Sequence, residues 1–257
     1  MIDWDPDQYA RFAEQRDRAA IDLLTYAMAS AEVTDAWDLG CGDGNWTELI
    51  AKRFPRAKVR GLDSSEAMLA EARESADPRI EWIQGDIADF HPLTPPDLIF
   101  SNAALHWLPD HARLFPRLAQ RLKPGGRLAV QLPVIERTGW RAALAEVAEQ
   151  GAWADRLRGA NTAATHAPEQ YYDWLKPHCA SVGVWTTTYL HELQGEDAIV
   201  DWTLGSTLRP YLARFEDDVE RRAFLDALRA RFSALHPRRS DGVTLFPFAR
   251  LFILAER

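Results

Sequence analysis

The sequence predicts a doubly wound α/β fold with helical insertions, and three observations support this prediction. Segments typical of strands and of helices alternate from residue 33 to residue 133. A glycine-rich turn at residues 40–44 follows the first predicted strand, as it does at the ligand-binding edge of open parallel sheets. Two long segments of helical periodicity follow, with a β-rich segment between them. A chain of 257 residues is long enough for one large α/β domain.

The elements of the 33–133 segment follow from local residue patterns. Short runs of apolar residues predict strands, and apolar residues at helical spacing predict helices. Ser64 or Ser65 is the expected N-cap of the second helix. Because strands alternate with helices, we expect parallel pairing through right-handed crossovers. The predicted strands are 36–39, 59–62, 80–84, 98–101 and 127–132, and the predicted helices are 46–54, 65–75 and 110–122.

The remaining segments flank this alternation. Asp5-Pro6 is typical of a helix start, since proline is favoured at the first helical position. The two later helical segments are too long for ordinary loops, which predicts helical insertions gathered above one edge of the sheet. The predicted division is N-terminal helices covering the site at 1–32, a cofactor-binding core at 33–133, lid insertions at 134–178 and 196–240, and late strands of the core sheet at 179–195 and 241–257.

Composition narrows the class of partner. Lys and Arg number 30 against 38 Asp and Glu, a net charge of −8, whereas nucleic-acid binders usually present a basic face. Cys41 and Cys179 are widely separated and no Cys/His cluster is evident, so we expect a reducing compartment and no metal. The charged N-terminal segment is unlike a signal peptide, and no apolar run approaches 18 residues. We therefore expect a cytoplasmic protein without nucleic-acid, membrane or metal partners.

Acidic and amide side chains follow successive predicted strands. Asp63 lies 19 residues beyond Gly44, after the second strand, where a carboxylate can accept hydrogen bonds from both hydroxyls of a ribose. Asp86 and Ile87 follow the third strand and suit the amino group and ring face of an adenine. Asn102 follows the fourth strand. These positions share one edge of the predicted sheet, which favours a nucleoside-containing cofactor there.

The glycine pattern distinguishes between two such cofactors. A dinucleotide fingerprint has a glycine three residues after its second glycine, but here Gly44 comes only two after Gly42, and Asn45 stands at the expected position. A pyrophosphate also favours a helix N-terminus free of negative charge, whereas Asp38 and Asp43 are both present. The acidic pair favours a cationic ligand over a dinucleotide.

The DLGCGDG stretch resembles the first motif of class I S-adenosylmethionine-dependent methyltransferases, and the LKPGG turn before the fifth strand is similar as well. The resemblance implies a Rossmann-like sheet, mostly parallel with an antiparallel last strand, and S-adenosyl-L-methionine as cofactor. One departure is Asp43, where that family usually has Pro, Thr or Ser. The cofactor-binding residues implied are Asp38, Gly40, Cys41, Gly42, Asp63, Ser64, Asp86, Ile87 and Asn102.

A closer resemblance, to trans-aconitate methyltransferases, extends over nearly the whole chain. It rests on WDPDQYARFAEQR, LDSSEAM, SNAALHWLPDH, VWTTTYLHEL and DGVTLFPFARLFILAE, among other stretches. The resemblance implies methyl transfer to a carboxylate oxygen of a small polycarboxylic acid, trans-aconitate or a relative. The sequence departs from that family at 134–140 (VIERTGW), where those enzymes tend to have Asn followed by a Glu-Pro-Thr/Ser-His stretch.

Such a reaction needs no general base, because a carboxylate is already ionised at pH 7. No nucleophile-base pair is evident, so catalysis is expected to come from positioning alone. Trp107 and His106 are the only catalytic candidates: the first as a flat wall beside the methyl group or as a core residue, the second as the nearest rival for a base.

An acidic protein that binds an anion needs local cations. Arg209, Arg250 and Arg16 lie in segments that match the family, and a guanidinium pairs with a carboxylate through two hydrogen bonds, although each could equally form a surface ion pair. The further hydrogen-bonding candidates are Tyr189, His191 and Gln131, of which His191 is more often structural. Two alternatives remain open: a methyltransferase acting on carbon or nitrogen, and a non-catalytic protein that binds S-adenosylmethionine.

Overall fold

The computed structural model describes residues 13–27, 32–74, 77–135, 139–160 and 162–257, without the side chains of residues 13–16. The predicted helix start at Asp5-Pro6 lies outside the described residues. The helices are α1 Ala13–Ala27, α2 Asn45–Arg53, α3 Glu66–Ala72, α4 His111–Arg121, α5 Gly139–Ala148, α6 Ala154–Leu157, α7 Pro168–Leu175, α8 Ala198–Leu204, α9 Arg209–Leu212 and α10 Asp218–Leu235. The strands are β1 Asp35–Leu39, β2 Lys58–Asp63, β3 Ile80–Gln84, β4 Leu98–Asn102, β5 Arg127–Pro133, β6 Ser181–Gln194 and β7 Val243–Glu256.

The strands form one seven-stranded sheet in the order β3-β2-β1-β4-β5-β7-β6. β1 pairs in parallel with both β2 and β4, and β3 and β5 continue the parallel sheet on either side. β7 pairs with β5 in the antiparallel direction. The predicted fold class, a mostly parallel sheet with an antiparallel last strand, is confirmed.

The central strands are almost entirely buried because both of their faces are covered. Every residue of β1 after Asp35 is buried, and so is every residue of β4 before Asn102. Burial on both faces is typical of parallel strands inside α/β sheets. The strand order reverses at β1, and ligands of open α/β sheets bind at the carboxyl ends of the strands beside such a reversal.

The chain divides into two compact units. We call the described parts of residues 16–133, 164–187 and 250–257 the core unit, and the described parts of residues 1–15, 134–163 and 188–249 the insertion unit. The interior of the insertion unit is rich in aromatic side chains, with buried Trp140, Trp202, Phe224, Phe232, Phe246 and Phe248. No described helix has both the length and the apolar character needed to cross a membrane.

Helix α7 belongs to a different unit from the one that the sequence predicts. The sequence groups α7 with the 134–178 insertion, whereas the structure includes it in the core unit. The reason is Tyr171, which is fully buried with its ring centroid 4.8 Å from that of Phe115 in α4. That the other helical segments form a lid stays a prediction.

Candidate active site

The glycine loop between β1 and α2 has a backbone that other residues rarely adopt. Gly40, Gly42 and Gly44 have φ angles of 75°, 57° and 87°. The N–H of Gly40 donates to the carbonyl of Leu62 at 2.7 Å, which draws the loop onto β2. A Cβ added to Gly40 would overlap the Cβ of Ala104. Glycine is therefore required at position 40 both by its positive φ and by the close approach of another segment.

Asp63, at the end of β2, connects the glycine loop to the next helix. Its Oδ2 accepts from the N–H of Gly42 at 2.9 Å, and its Oδ1 accepts from the N–H of Ser65 at 2.9 Å. Ser65 in turn is the N-cap of α3, which decides between the two predicted caps, and Ser64 is exposed. A carboxylate oxygen has two lone pairs, so each oxygen of Asp63 can still accept a hydrogen bond from a ligand hydroxyl.

Asp38 is a buried carboxyl group in β1 just before the loop. It is 1% exposed, and the hydroxyl of Thr47 donates to its Oδ2 at 2.7 Å. Burial raises the pKa of Asp38 to about 7; the Thr47 hydrogen bond opposes this shift, and the negative charges of Asp63 and Asp43 add to it. A positively charged ligand group nearby would stabilise the ionised form.

Two further loop residues have raised pKa values. Burial is the largest cause of the raised pKa of the Cys41 thiol, so this side chain stays protonated and packs as a small apolar group. Desolvation also raises the pKa of Asp43, whose Oδ2 accepts from the Asn45 amide at 2.8 Å. Together, the carboxyl groups of Asp38 and Asp43 make the loop unfavourable for a phosphate and suitable for a cation.

Asp86 and Ile87 follow β3, and Ile87 lies beside the same loop. Asp86 accepts from the N–H of Ala88 at 2.7 Å and so caps a 3₁₀ turn, Ile87–Asp89, while the residue stays exposed. Ile87 is 8% exposed, and its Cδ1 lies 3.6 Å from the position of a Cβ on Gly40. An accessible carboxylate beside a buried apolar side chain suits a polar heterocycle.

The ends of β4 and β5 carry two amide side chains in register, Asn102 and Gln131. Gln131 is 1% exposed, and neither polar atom of its amide has a hydrogen-bond partner among the described residues. The buried Oδ1 of Asn102 is likewise unpaired within the described part of the chain. Leaving one such group unpaired costs about 1–3 kcal/mol, so these amides indicate a polar ligand or water at this edge.

His106 and Trp107 lie on the turn that follows β4. They belong to a 3₁₀ turn, Leu105–Trp107, and their ring centroids are 4.7 Å apart. His106 is buried and Trp107 is half-buried. The carbonyl of His106 accepts from the N–H of Ala164 at 2.9 Å.

The predicted substrate contacts are divided between the two units. Arg250 is 6% exposed and pairs with Pro133 in the core unit. Arg209 begins α9 in the insertion unit and is half-buried. The side chain of Arg16 lies outside the described residues.

Tyr189 and His191 are buried on β6 within the insertion unit. Their rings are parallel to within 6° at 6.2 Å, and His191 also stacks on Trp202 at 4.8 Å. This stacking supports the structural interpretation of His191.

Sequence reasoning missed two groups at the glycine loop. Thr47 bonds to Asp38, and its only signal was a hydroxyl residue in the first turn of the helix after the loop. The second is Trp82 in β3, whose ring fills the space beside Gly44 and lies 2.6 Å from the position of a Cβ on Gly61. These two glycines therefore make room for an aromatic side chain that supports the loop.

Comparison with known proteins agrees with this geometry. Residues 36–126 match the model of a methyltransferase domain. A trans-aconitate 2-methyltransferase from Azoarcus sp. (strain BH72) is 45% identical, covering 100% of both chains. One from Yersinia pseudotuberculosis is 44% identical, covering 99% of this chain and 98% of the relative.

Solved structures show the same fold at low sequence identity. Phosphoethanolamine N-methyltransferase 2 from Haemonchus contortus, solved with phosphomonomethylethanolamine and S-adenosylhomocysteine, superposes with a TM-score of 0.58 at 16% identity, over 93% of this chain and 52% of that one. The YcgJ protein from Bacillus subtilis has a TM-score of 0.61 at 14% identity, over 93% and 98% of the two chains. The full-length identity to curated relatives is the more specific finding, and by it this chain belongs to the trans-aconitate 2-methyltransferase family of methyltransferases.

Proposed function

We infer that this protein uses S-adenosylmethionine to form a methyl ester on a carboxylate of trans-aconitate or a closely related small polycarboxylic acid. The observation that carries this conclusion is the 44–45% identity, along the whole chain, to proteins named trans-aconitate 2-methyltransferases. The segments outside the cofactor core, such as SNAALHWLPDH and DGVTLFPFARLFILAE, resemble that family and support the same acceptor.

The residues around the glycine loop fit this cofactor. S-adenosylmethionine carries an ammonium, a sulfonium, a ribose and an adenine. The acidic loop with Asp38 suits the positive charges, and Asp63 has free lone pairs for the ribose hydroxyls. Asp86 and Ile87 suit the adenine, since one is an exposed hydrogen-bond acceptor and the other a buried apolar surface.

The chemistry requires positioning more than proton transfer. When bound, S-adenosylmethionine supplies an electrophilic methyl group, and a carboxylate with a pKa near 4 is already a nucleophile at pH 7. Holding two reactants in line can contribute about 7–11 kcal/mol of barrier reduction. The task of this chain is therefore to orient the acceptor carboxylate and to exclude water from it.

Three side chains are proposed to hold the acid. Arg209 and Arg250 provide guanidinium groups in a chain whose net charge is −8, so they supply the local positive charge that the anion needs. The amide of Gln131 is the proposed neutral donor, because it is buried with both polar atoms unpaired among the described residues. Arg16 stays a candidate from its position in the sequence.

The location and remaining partners are proposals from composition. Two widely separated cysteines support a cytoplasmic enzyme, and the net negative charge supports a protein without a nucleic-acid partner. Cell fractionation and a nucleic-acid binding assay test these points independently of the reaction.

The proposed reaction is tested with methyl-labelled S-adenosylmethionine and a panel of di- and tricarboxylates, with products identified by mass. We expect a base-labile monomethyl ester, formed fastest from trans-aconitate. Gly40→Ala serves as a control that should lose cofactor binding. A product methylated on carbon or nitrogen, or tight binding of S-adenosylhomocysteine with no transfer to any acid, would contradict the proposal.

A further inference from the structure

The turn that follows β4 carries an unusual backbone at the edge of the glycine loop. Ala103 has a φ of 52°, a left-handed conformation that a non-glycine residue adopts at a cost of about 1–2 kcal/mol. Its N–H donates to the carbonyl of Gln131 at 2.9 Å, and Ala104 occupies the space that a side chain on Gly40 would need. The turn is therefore strained and packed against the loop, so surrounding contacts must hold it in place.

A buried histidine outside the candidate site makes one of those contacts. His111, at the start of α4, is 1% exposed, and its Nε2 lies 3.0 Å from the carbonyl oxygen of Leu105. A carbonyl can only accept, so Nε2 carries the proton and Nδ1 is an acceptor. Tyr171 supplies the donor, since its hydroxyl lies 2.7 Å from Nδ1.

The same hydroxyl is also an acceptor. The backbone N–H of His166 donates to the Tyr171 oxygen at 3.2 Å, which completes a chain of hydrogen bonds from residue 166 through Tyr171 and His111 to Leu105. Burial lowers the pKa of His111, which favours the neutral ring that this chain requires. Each donor along this path has one acceptor, and Tyr171 has no exposed surface.

A second contact holds the other side of the turn. The N–H of Ala164 donates to the carbonyl of His106 at 2.9 Å, two residues before His166. The segment 164–166 thus binds the turn directly at residue 106 and indirectly at residue 105. Rings on α4 and α7 enclose the arrangement, with Phe115 4.8 Å from Tyr171 and Trp174 5.1 Å from His166.

We propose that His111 and Tyr171 are positioning residues for methyl transfer, which hold the turn at 103–107 against the glycine loop. The proposal rests on the proposed function, because the turn carries His106 and Trp107 beside the expected reaction centre. Neither residue needs to touch the substrate. Loss of their hydrogen bonds would let the strained turn relax, and even a small misplacement of the reacting groups lowers the rate of reaction strongly.

The most informative variant is Tyr171→Phe, which keeps the ring and removes only the hydroxyl. We expect kcat to fall about tenfold and the Kd for S-adenosylhomocysteine to rise about threefold to tenfold, as for the loss of one or two hydrogen bonds. The matched control is Tyr172→Phe, since the adjacent Tyr172 is 43% exposed and should behave as wild type. Both quantities are measured at temperatures below the unfolding transition of each variant, and kcat is expressed per molecule of folded protein.

A second pair separates positioning from folding. His111→Gln keeps an amide N–H that can donate to the Leu105 carbonyl, whereas His111→Leu keeps none, so the glutamine variant should retain more turnover and tighter S-adenosylhomocysteine binding. A lower Tm for Tyr171→Phe with wild-type kcat and Kd would overturn the proposal. If wild-type protein methylates none of the acids, the proposed function fails, and the S-adenosylhomocysteine Kd values still decide the positioning role.

Discussion

The core unit and the insertion unit hold their polar candidate residues in different ways. At the strand ends of the core unit, carboxylates bond to backbone groups: Asp63 joins the glycine loop to α3, and Asp86 caps a 3₁₀ turn. In the insertion unit, Tyr189 and His191 lie within an aromatic interior, where His191 stacks on Trp202. The first arrangement fixes carboxylates at the strand ends, where the cofactor is proposed to bind, and the second contributes stability by packing.

This difference indicates which unit constrains the cofactor site and which unit tolerates changes that affect acid binding. Backbone geometry at the strand ends leaves few acceptable residues, so the cofactor site depends on particular glycines and acids. The insertion unit buries large aromatic side chains, and we expect the half-buried Arg209 to affect acid binding without altering that interior. Substitutions at the glycine loop and at Arg209 should accordingly affect cofactor binding and acid binding separately.

The largest effect is expected from Gly40→Ala. The new Cβ would overlap Ala104 in a backbone with φ of 75°, so both the loop and the turn must shift. We expect S-adenosylhomocysteine affinity to fall by more than about 100-fold and stability to fall by about 2–5 kcal/mol, from strain and overpacking together. Calorimetry and denaturant unfolding measure these two quantities.

Gly125→Ala is the matched control. Gly125 has a φ of 77°, nearly that of Gly40, but an added Cβ would have no atom within 4 Å. It should lose only about 1–2 kcal/mol of stability and keep wild-type cofactor affinity. Equal losses of affinity in the two variants would show that backbone strain alone, and not the contact with Ala104, explains the glycine.

Arg209→Ala should affect the acid and spare the cofactor. A bidentate guanidinium-carboxylate pair contributes about 1.5–3 kcal/mol, so the KM for the acid should rise by roughly 10- to 150-fold while the S-adenosylhomocysteine Kd stays constant. Arg209→Lys should recover little, because an ammonium lacks the planar pair of donors. Steady-state kinetics on matched di- and tricarboxylates should show the larger loss on the tricarboxylate. A loss confined to cofactor affinity would remove Arg209 from the acid site.

Cofactor binding should strengthen as pH rises through 7. Burial raises the pKa of Asp38 to about 7, so at lower pH a proton must leave before the ionised group can stabilise a cationic ligand. Between pH 6 and pH 8 the S-adenosylhomocysteine affinity should rise about tenfold, since each pH unit below the pKa costs up to tenfold. Calorimetry across this range measures the change, and Asp38→Asn should bind weakly with a flatter profile. A wild-type affinity that falls as pH rises would contradict this role.

The raised pKa of Asp38 also determines how its contribution to the stability of the fold changes with pH. Its pKa is raised in the folded state above the unfolded value of 3.8, so between these values the folded protein holds the additional proton. The contribution of Asp38 to stability is therefore lost as pH rises from about 4 to about 7, in contrast to the usual behaviour of a paired aspartate. The Tm of Asp38→Asn should therefore decrease less over this pH interval than the Tm of the wild-type protein.

Gln131→Leu should have the smallest effects: it should stabilise the free protein and weaken the binding of the acid. The amide is buried with both polar atoms unpaired among the described residues, so an apolar side chain of similar size removes a cost of about 1–3 kcal/mol. Thermal unfolding should show a higher Tm for the free protein, while the KM for the acid rises severalfold. A lower Tm together with an unchanged KM would show that Gln131 supports the fold and not the acid.

Much of the core unit was predictable because its signals are local. The sequence predicts the third strand at 80–84, and it is observed at Ile80–Gln84; the others agree within a few residues, since the apolar runs of β1 to β4 each end at a glycine or polar residue. The glycines and acids at the strand ends could be placed at one edge because parallel strands share that edge.

What the sequence could not predict depends on contacts between distant residues. His111 and Tyr171 are separated by 60 residues, and neither stands in a recognisable motif with the other. For that reason α7 was grouped with an insertion although it packs on α4 in the core unit. Asp38 could be proposed as a ligand, but its raised pKa follows from burial and from Thr47, which only the folded chain brings together.

Methyl transfer without a general base is tested most directly by the turnover of His106→Ala at saturating concentrations of S-adenosylmethionine and trans-aconitate. His106, on the turn that follows β4, is the rival candidate for such a base. Positioning alone predicts that the variant keeps a kcat within about tenfold of wild type, less than the 10²–10⁴-fold contribution of a general base, and that the wild-type kcat is level through neutral pH. Abolished turnover in a folded variant that binds S-adenosylhomocysteine with wild-type affinity would contradict the mechanism.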